Sequence, residues 1–195
     1  MKVYDTGELQ PQQIYKLLSG SIIPRPIAWL TTQNSTGLVN IAPFSFFNVV
    51  SSQPPLISVS FTGNKDSLNN LLTTQEAVVH LVNAENVDQM NQTAAQLTAD
   101  KSEAKTFSVE LESSNILQVP SIKNSKVRFE TQLYKHLPLE NEGHLVLLKI
   151  VKFVVADELI DENFHIDAEK LNPIARLAGN QYARLGEIFE IKRPI

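Results

Sequence analysis

The stretch IPRPIAWLTT (residues 23–32), the turn QNSTG (33–37) and LVNIAPFSFF (38–47) decide how this chain is read. Pro24 and Pro26 bracket Arg25 and open an apolar strand. Asn34 to Gly37 supply turn residues, and a second strand runs from Leu38 to Ala42. Pro43 is expected to halt that strand, leaving peptide groups without ladder partners beside Phe44, Phe46 and Phe47. Such groups need water, side chains or a ligand. A flat ligand with an apolar face and a polar edge suits them. Asn40 and Ser45 interrupt this greasy run and are placed to bond such an edge. The competing reading is an aromatic corner that plugs one end of a barrel.

Working outward, LISVSFT (56–62) sets Ile57, Val59 and Phe61 against Ser58, Ser60 and Thr62, a period of two that predicts a strand with one greasy and one hydroxylated face. Further strands are predicted at 77–83, 127–134, 144–156 and 187–192. Helices are predicted at 10–19, where Pro11 fits the first turn, and at 67–74, 86–96 and 99–107. Ile14, Leu17 and Leu18 share a face of the first, and Leu68, Leu71 and Leu72 one of the second. Short strands separated by turns, with few helices between them, point to a mainly β fold, a closed or half-open barrel, in one domain over 1–195. Residues 1–20 form a helical extension and 171–195 a tail.

Composition excludes several functions. Of 195 residues 43% are hydrophobic and 19% charged, enough for a core and against disorder. A net charge of −4 with no basic block disfavours a nucleic-acid partner. There is no cysteine, which removes thiolate chemistry and Cys-based metal sites and fits a cytoplasmic setting. MKVYDTGELQPQQ lacks the apolar core of a signal peptide, and no run reaches membrane-spanning length. No GxGxxG, Walker loop, HExxH or GxSxG occurs, and no two of His80, His136, His144 and His165 sit at helical ligand spacing.

The remaining candidates have two readings each. In TGNKDS (62–67) a strand ends, Gly63 turns the chain and a helix begins, so Lys65, Ser67 and the free N–H groups make either a phosphate seat or an ordinary capped helix. Asp66 reads as the cap or as a cation's partner. Arg25 is either a surface cation or a preorganised anion contact. Trp29 reads as core and His80 as a satisfied strand histidine. Arg176, Tyr182 and Arg184, near Gly179 and Gly186, either cover a pocket or pin the tail.

Four blocks together, GSIIPRPIAWLTT, NIAPFSFFNVVSSQPPLISVS, NKDSLNNL followed by AVVHLVN, and PIARLAGNQYARLGEIFEIKRP, resemble the flavin reductase-like family of FMN-binding split barrels. That group includes flavoredoxins and proteins similar to the small component of nitrilotriacetate monooxygenase. The resemblance implies a six-stranded Greek-key split β-barrel and a homodimer with FMN near the subunit interface. It implies that Asn40, Ala42, Pro43, Phe44 and Ser45 lie along the flavin ring, with Arg25, Thr31, Ser58 and Ser60 beside it. Lys65 and Ser67 would hold the phosphate, and Arg176 and Tyr182 would close over the site. The implied activity is hydride transfer from NADH or NADPH to FMN, with a partner monooxygenase as one recipient. An FMN-binding electron carrier is the alternative, and a barrel for another planar ligand, a pyridoxal phosphate or heme, is a third.

Overall fold

In the computed structural model, which describes residues 1–194, the first hairpin is present as β1 (Ala28–Gln33) and β2 (Val39–Phe44). β3 (Phe47–Ser52), β4 (Pro55–Thr62) and β5 (Glu76–Leu81) follow. After two short strands, β6 (Leu111–Glu112) and β7 (Ser121–Ile122), come the long β8 (Val127–Pro138) and β9 (Gly143–Val155). The tail holds the two-residue pair β10 (Ala175–Arg176) and β11 (Tyr182–Ala183). The helices are α1 (Pro11–Ser21), α2 (Asp66–Thr74), α3 (Val87–Gln92), α4 (Glu103–Thr106) and α5 (Ala168–Leu171).

Seven strands form one antiparallel sheet in the order β2-β1-β5-β8-β9-β4-β3. The expected count of six is corrected, and β3 is an element the sequence reading did not anticipate. The sheet curls strongly: Phe44 on β2 and Phe61 on β4 bring their rings to 4.6 Å although their strands lie near opposite edges. No ladder joins β2 to β3 among the described residues, so the sheet is not closed. Inside the curl, Leu30, Ile57, Val59, Phe61, Val79, Val146 and Leu148 pack with Leu68 and Leu71 of α2. On the outer side of β1, Trp29 and Ile41 pack with Met90, Val109 and Ile122. β1 is buried on both faces, which explains its near-continuous apolar run.

Pro43 does not halt β2. The strand runs on to Phe44, with Pro43 opposite Trp29 and Phe44 opposite Ala28. β2 is an edge strand, where a proline costs no ladder bond if its nitrogen faces outward. Ile41, two residues earlier and so of the same parity, also turns its N–H outward, where the Glu103 carboxylate accepts it at 2.9 Å. Ser102 Oγ donates to the Val39 carbonyl at 2.6 Å on the same edge. α4 therefore covers the open side of β2.

Other expectations shift. Asp66 is not the cap of α2: Lys65 holds that position and Asp66 is the first helical residue. α3 is shorter than predicted because Thr93 closes it, its hydroxyl donating to the Met90 carbonyl at 2.7 Å while its N–H bonds back. α4 spans only the end of its predicted segment. The strand predicted at 187–192 is absent, and Ile188, Phe189 and Ile191 stand exposed with no strand beside them.

Candidate functional site

Three adjoining recesses follow the Pro43–Phe44–Ser45 segment. The first, about 450 Å³, opens where α2 begins and is lined by Asn40, Ala42, Pro43, Phe44, Lys65, Ser67 and the segment 93–97. The second, about 650 Å³, shares Pro43 and Phe44 and adds Ser45, Met90, Asn91, Arg176 and Tyr182. The third, about 300 Å³, shares Ser45 and adds Arg25, Ser58 and Ser60. Shared lining residues make them neighbours along one edge of the sheet. Of the residues offered from the sequence for a ligand site, all but Thr31 and Arg184 line one of them.

The first recess holds groups that favour an anion and groups that oppose one. α2 has no side-chain cap, so its first-turn N–H groups stay open beside the Lys65 ammonium. Asn40 Nδ2–H donates to Ser67 Oγ at 2.7 Å, which leaves the Ser67 hydroxyl proton free to donate into the recess. Asp66 and Glu103 line the same space. Burial raises the Glu103 pKa above the usual carboxylate value, the Ile41 N–H bond opposes this, and the Asp66 charge adds to it. Glu103 was invisible to sequence reasoning, since nothing in SEAKTF ties residue 103 to a strand edge some sixty residues earlier.

The second recess has one apolar and one polar wall. Pro43 and Phe44 give the first. Opposite, the Arg176 guanidinium lies 4.5 Å from the Tyr182 ring centroid and donates to the Gly179 carbonyl. Tyr182 Oη–H donates to Asn91 Oδ1 at 3.0 Å, tying the tail to α3. Arg184 is exposed and lines none of the three recesses.

Arg25 is not a surface cation. It is 7% exposed. Nη1 donates to the carbonyls of Ser19 and Ile22, both at 2.6 Å, and Nη2 to that of Leu177 at 2.9 Å. Its backbone pairs with Arg176 in both directions, at 3.0 and 2.8 Å. Arg25 thus clamps the end of α1 and the tail to the start of β1. Thr31 lies apart, fully buried, its hydroxyl donating to the Pro120 carbonyl at 2.7 Å. Its side chain follows the outward parity of Trp29, which residue type alone does not reveal.

Trp29 and His80 are interior, as read from the sequence. Trp29 Nε1–H donates to Thr93 Oγ1 at 2.9 Å. His80 Nε2 accepts the Ile122 N–H at 2.9 Å, so Nδ1 carries the proton and donates to the Trp29 carbonyl at 2.9 Å. Burial pushes its pKa down to about 3; the Trp29 bond opposes this and the Arg128 charge adds to it. His136 and His144 meet across β8 and β9 at 3.0 Å, but no group of three or more metal-ligand side chains forms among the described residues.

Comparison with known proteins places the fold in a family. The family described as "Flavin reductase like domain" matches residues 19–172. The chain is 41% identical to the uncharacterised protein YwrF of Bacillus subtilis, over 100% of both chains. It superposes on nitrilotriacetate monooxygenase component B from Bacillus cereus with TM-score 0.95 and 39% identity, covering 98% of each chain. It superposes on Pseudomonas fluorescens 2-nitrobenzoate 2-nitroreductase with TM-score 0.93 and 31% identity, over 99% and 96% of the two chains.

Proposed function

The chain belongs to the flavin reductase-like family, and on that premise we propose that it binds FMN and reduces it with NADH or NADPH. The observation that carries this reading is the continuity of the first two recesses, a candidate anion seat at the start of α2 joined through Pro43 and Phe44 to a larger space. A phosphate at one end and a planar ring at the other match that sequence of surfaces. The chain's similarity to a monooxygenase component and a nitroreductase, both above 30% identity, supports an oxidoreductase.

FMN, when bound, supplies hydride acceptance at its ring. The chain's own residues bind and orient. Lys65, the Ser67 hydroxyl and the α2 N–H groups hold the phosphate. Asn40 fixes the Ser67 rotamer. Phe44 offers an apolar face, and the Pro43 segment a polar backbone edge. Tyr182 and Arg176 form the opposing wall and limit water. No GxGxxG is present, in keeping with a nicotinamide that binds briefly and leaves. In this reading the protein is a cytoplasmic homodimer, and a partner monooxygenase is one outlet for reduced flavin.

Stopped-flow mixing of the FMN-loaded protein with NADH and with NADPH tests the activity. Bleaching of the flavin band faster than that of free FMN is expected with at least one of them. Rates equal to free flavin with both would leave a flavin carrier instead, and no FMN binding by calorimetry would remove both.

A further inference from the structure

The third recess, whose Arg25, Ser58 and Ser60 the family resemblance sets beside the flavin, has a charge that none of the proposed flavin contacts answers. A buried guanidinium normally answers a carboxylate, because an unpaired charge out of water is costly. Arg25 forms no ion pair among the described residues. Its three carbonyl partners are dipoles, which fix the group without neutralising its unit charge. Its Nε–H reaches only Ser45 Oγ, at 3.5 Å. An oxygen that accepts from Arg25 leaves the Ser45 hydroxyl proton to donate elsewhere. Ser60 presents a second hydroxyl on the same wall.

Charge is segregated around this point. The chain has 21 acidic and 17 basic residues, yet no Asp or Glu lines the second or third recess, while Arg176 and Arg25 line one each. Apart from Asn48 and Ser58, the remaining lining of the third is apolar, with Ile22 and Phe46 in it; the Phe46 ring centroid lies 5.7 Å from Arg25 Cζ. Its volume of about 300 Å³ sits at the low end of ligand pockets, roughly 300–1,000 Å³. A single ring fits it, and a dinucleotide does not.

We propose that this recess seats a small aromatic carboxylate. The carboxylate lies at the Ser45 and Ser60 hydroxyls in the field of Arg25, and the ring lies against Ile22 and Phe46. The site touches the flavin cradle through Ser45 but does not need flavin to form.

The test is calorimetric titration of the full chain, with and without FMN, using benzoate and its neutral counterpart benzamide as probes. Benzoate is expected to bind at least tenfold more tightly than benzamide in both forms. Arg25→Gln is expected to abolish that preference. Because Arg25 also clamps α1, Ser60→Val supplies a test that leaves the clamp intact, with roughly fivefold weaker benzoate binding and unchanged benzamide binding. Equal affinities for the two probes, or benzoate affinity unmoved by Ser60→Val, would overturn the site. Failure of the flavin reading shows separately, as no heat with FMN, and leaves the benzoate result readable.

Discussion

At Lys65 and Glu103 two opposite charges share one recess, and substitution separates their effects. Lys65→Ala removes a charge-assisted contact and is expected to weaken FMN binding roughly tenfold, read by quenching of flavin fluorescence. Glu103→Gln keeps an acceptor for the Ile41 N–H and removes a negative charge. It is expected to tighten FMN severalfold, and weaker binding would show that Glu103 supports the phosphate rather than opposing it. His80 sets an acid limit on stability. Its folded pKa of about 3 lies below the ordinary 6.5, so between these values the unfolded chain binds a proton that the folded chain refuses. Stability from this residue is full above pH 6.5 and falls as pH drops toward 3, by on the order of 5 kcal/mol. Urea midpoints measured across that window should fall steadily, and a flat profile would contradict the buried neutral imidazole. Asn40, Lys65 and Ser67 were readable in the sequence because short motifs place them at a strand and a helix start. Glu103 and the Arg25 clamp were not, since each depends on a contact between distant segments.

Among the elements, α2 links stability to the site. Its Leu71 is fully buried against the sheet interior, and its first turn is the proposed anion seat. Leu71→Ala is expected to cost about 2–5 kcal/mol in chemical denaturation. In mild denaturant it should also lower FMN affinity before the sheet melts, as α2 loosens. β4 was readable from strict alternation, and its Ile57, Val59 and Phe61 are buried as that pattern requires. β3 was not: its Val49 and Val50 are both exposed, so no clean alternation marks FNVVSS. The segment 187–192 shows the converse. Its apolar residues suggest a strand, but a strand needs a neighbour, and among the described residues none lies beside it.

For the whole molecule, the seven-stranded sheet leaves apolar surface uncovered. Leu17 and Leu18 of α1 are 44% and 49% exposed, and Val49 of the edge strand β3 is 74% exposed. Patches of this kind and unpaired strand edges invite association. In the proposed homodimer they meet a second copy. Sedimentation equilibrium is expected to give twice the mass of one chain, and Val49→Glu to shift it toward one. A wild-type chain that sediments as a monomer at micromolar concentration would remove the dimer from the proposal.

The clamp at Arg25 ties the order of synthesis to the order of function. Its partner carbonyl on Leu177 lies 152 positions later, and the wall made by Arg176 and Tyr182 comes from the same late stretch. A ribosome has translated most of the message before the cavity has its far side. In the proposed reading, full closure of the cofactor cradle therefore waits for the stretch around residues 176–182, long after the phosphate side has been made.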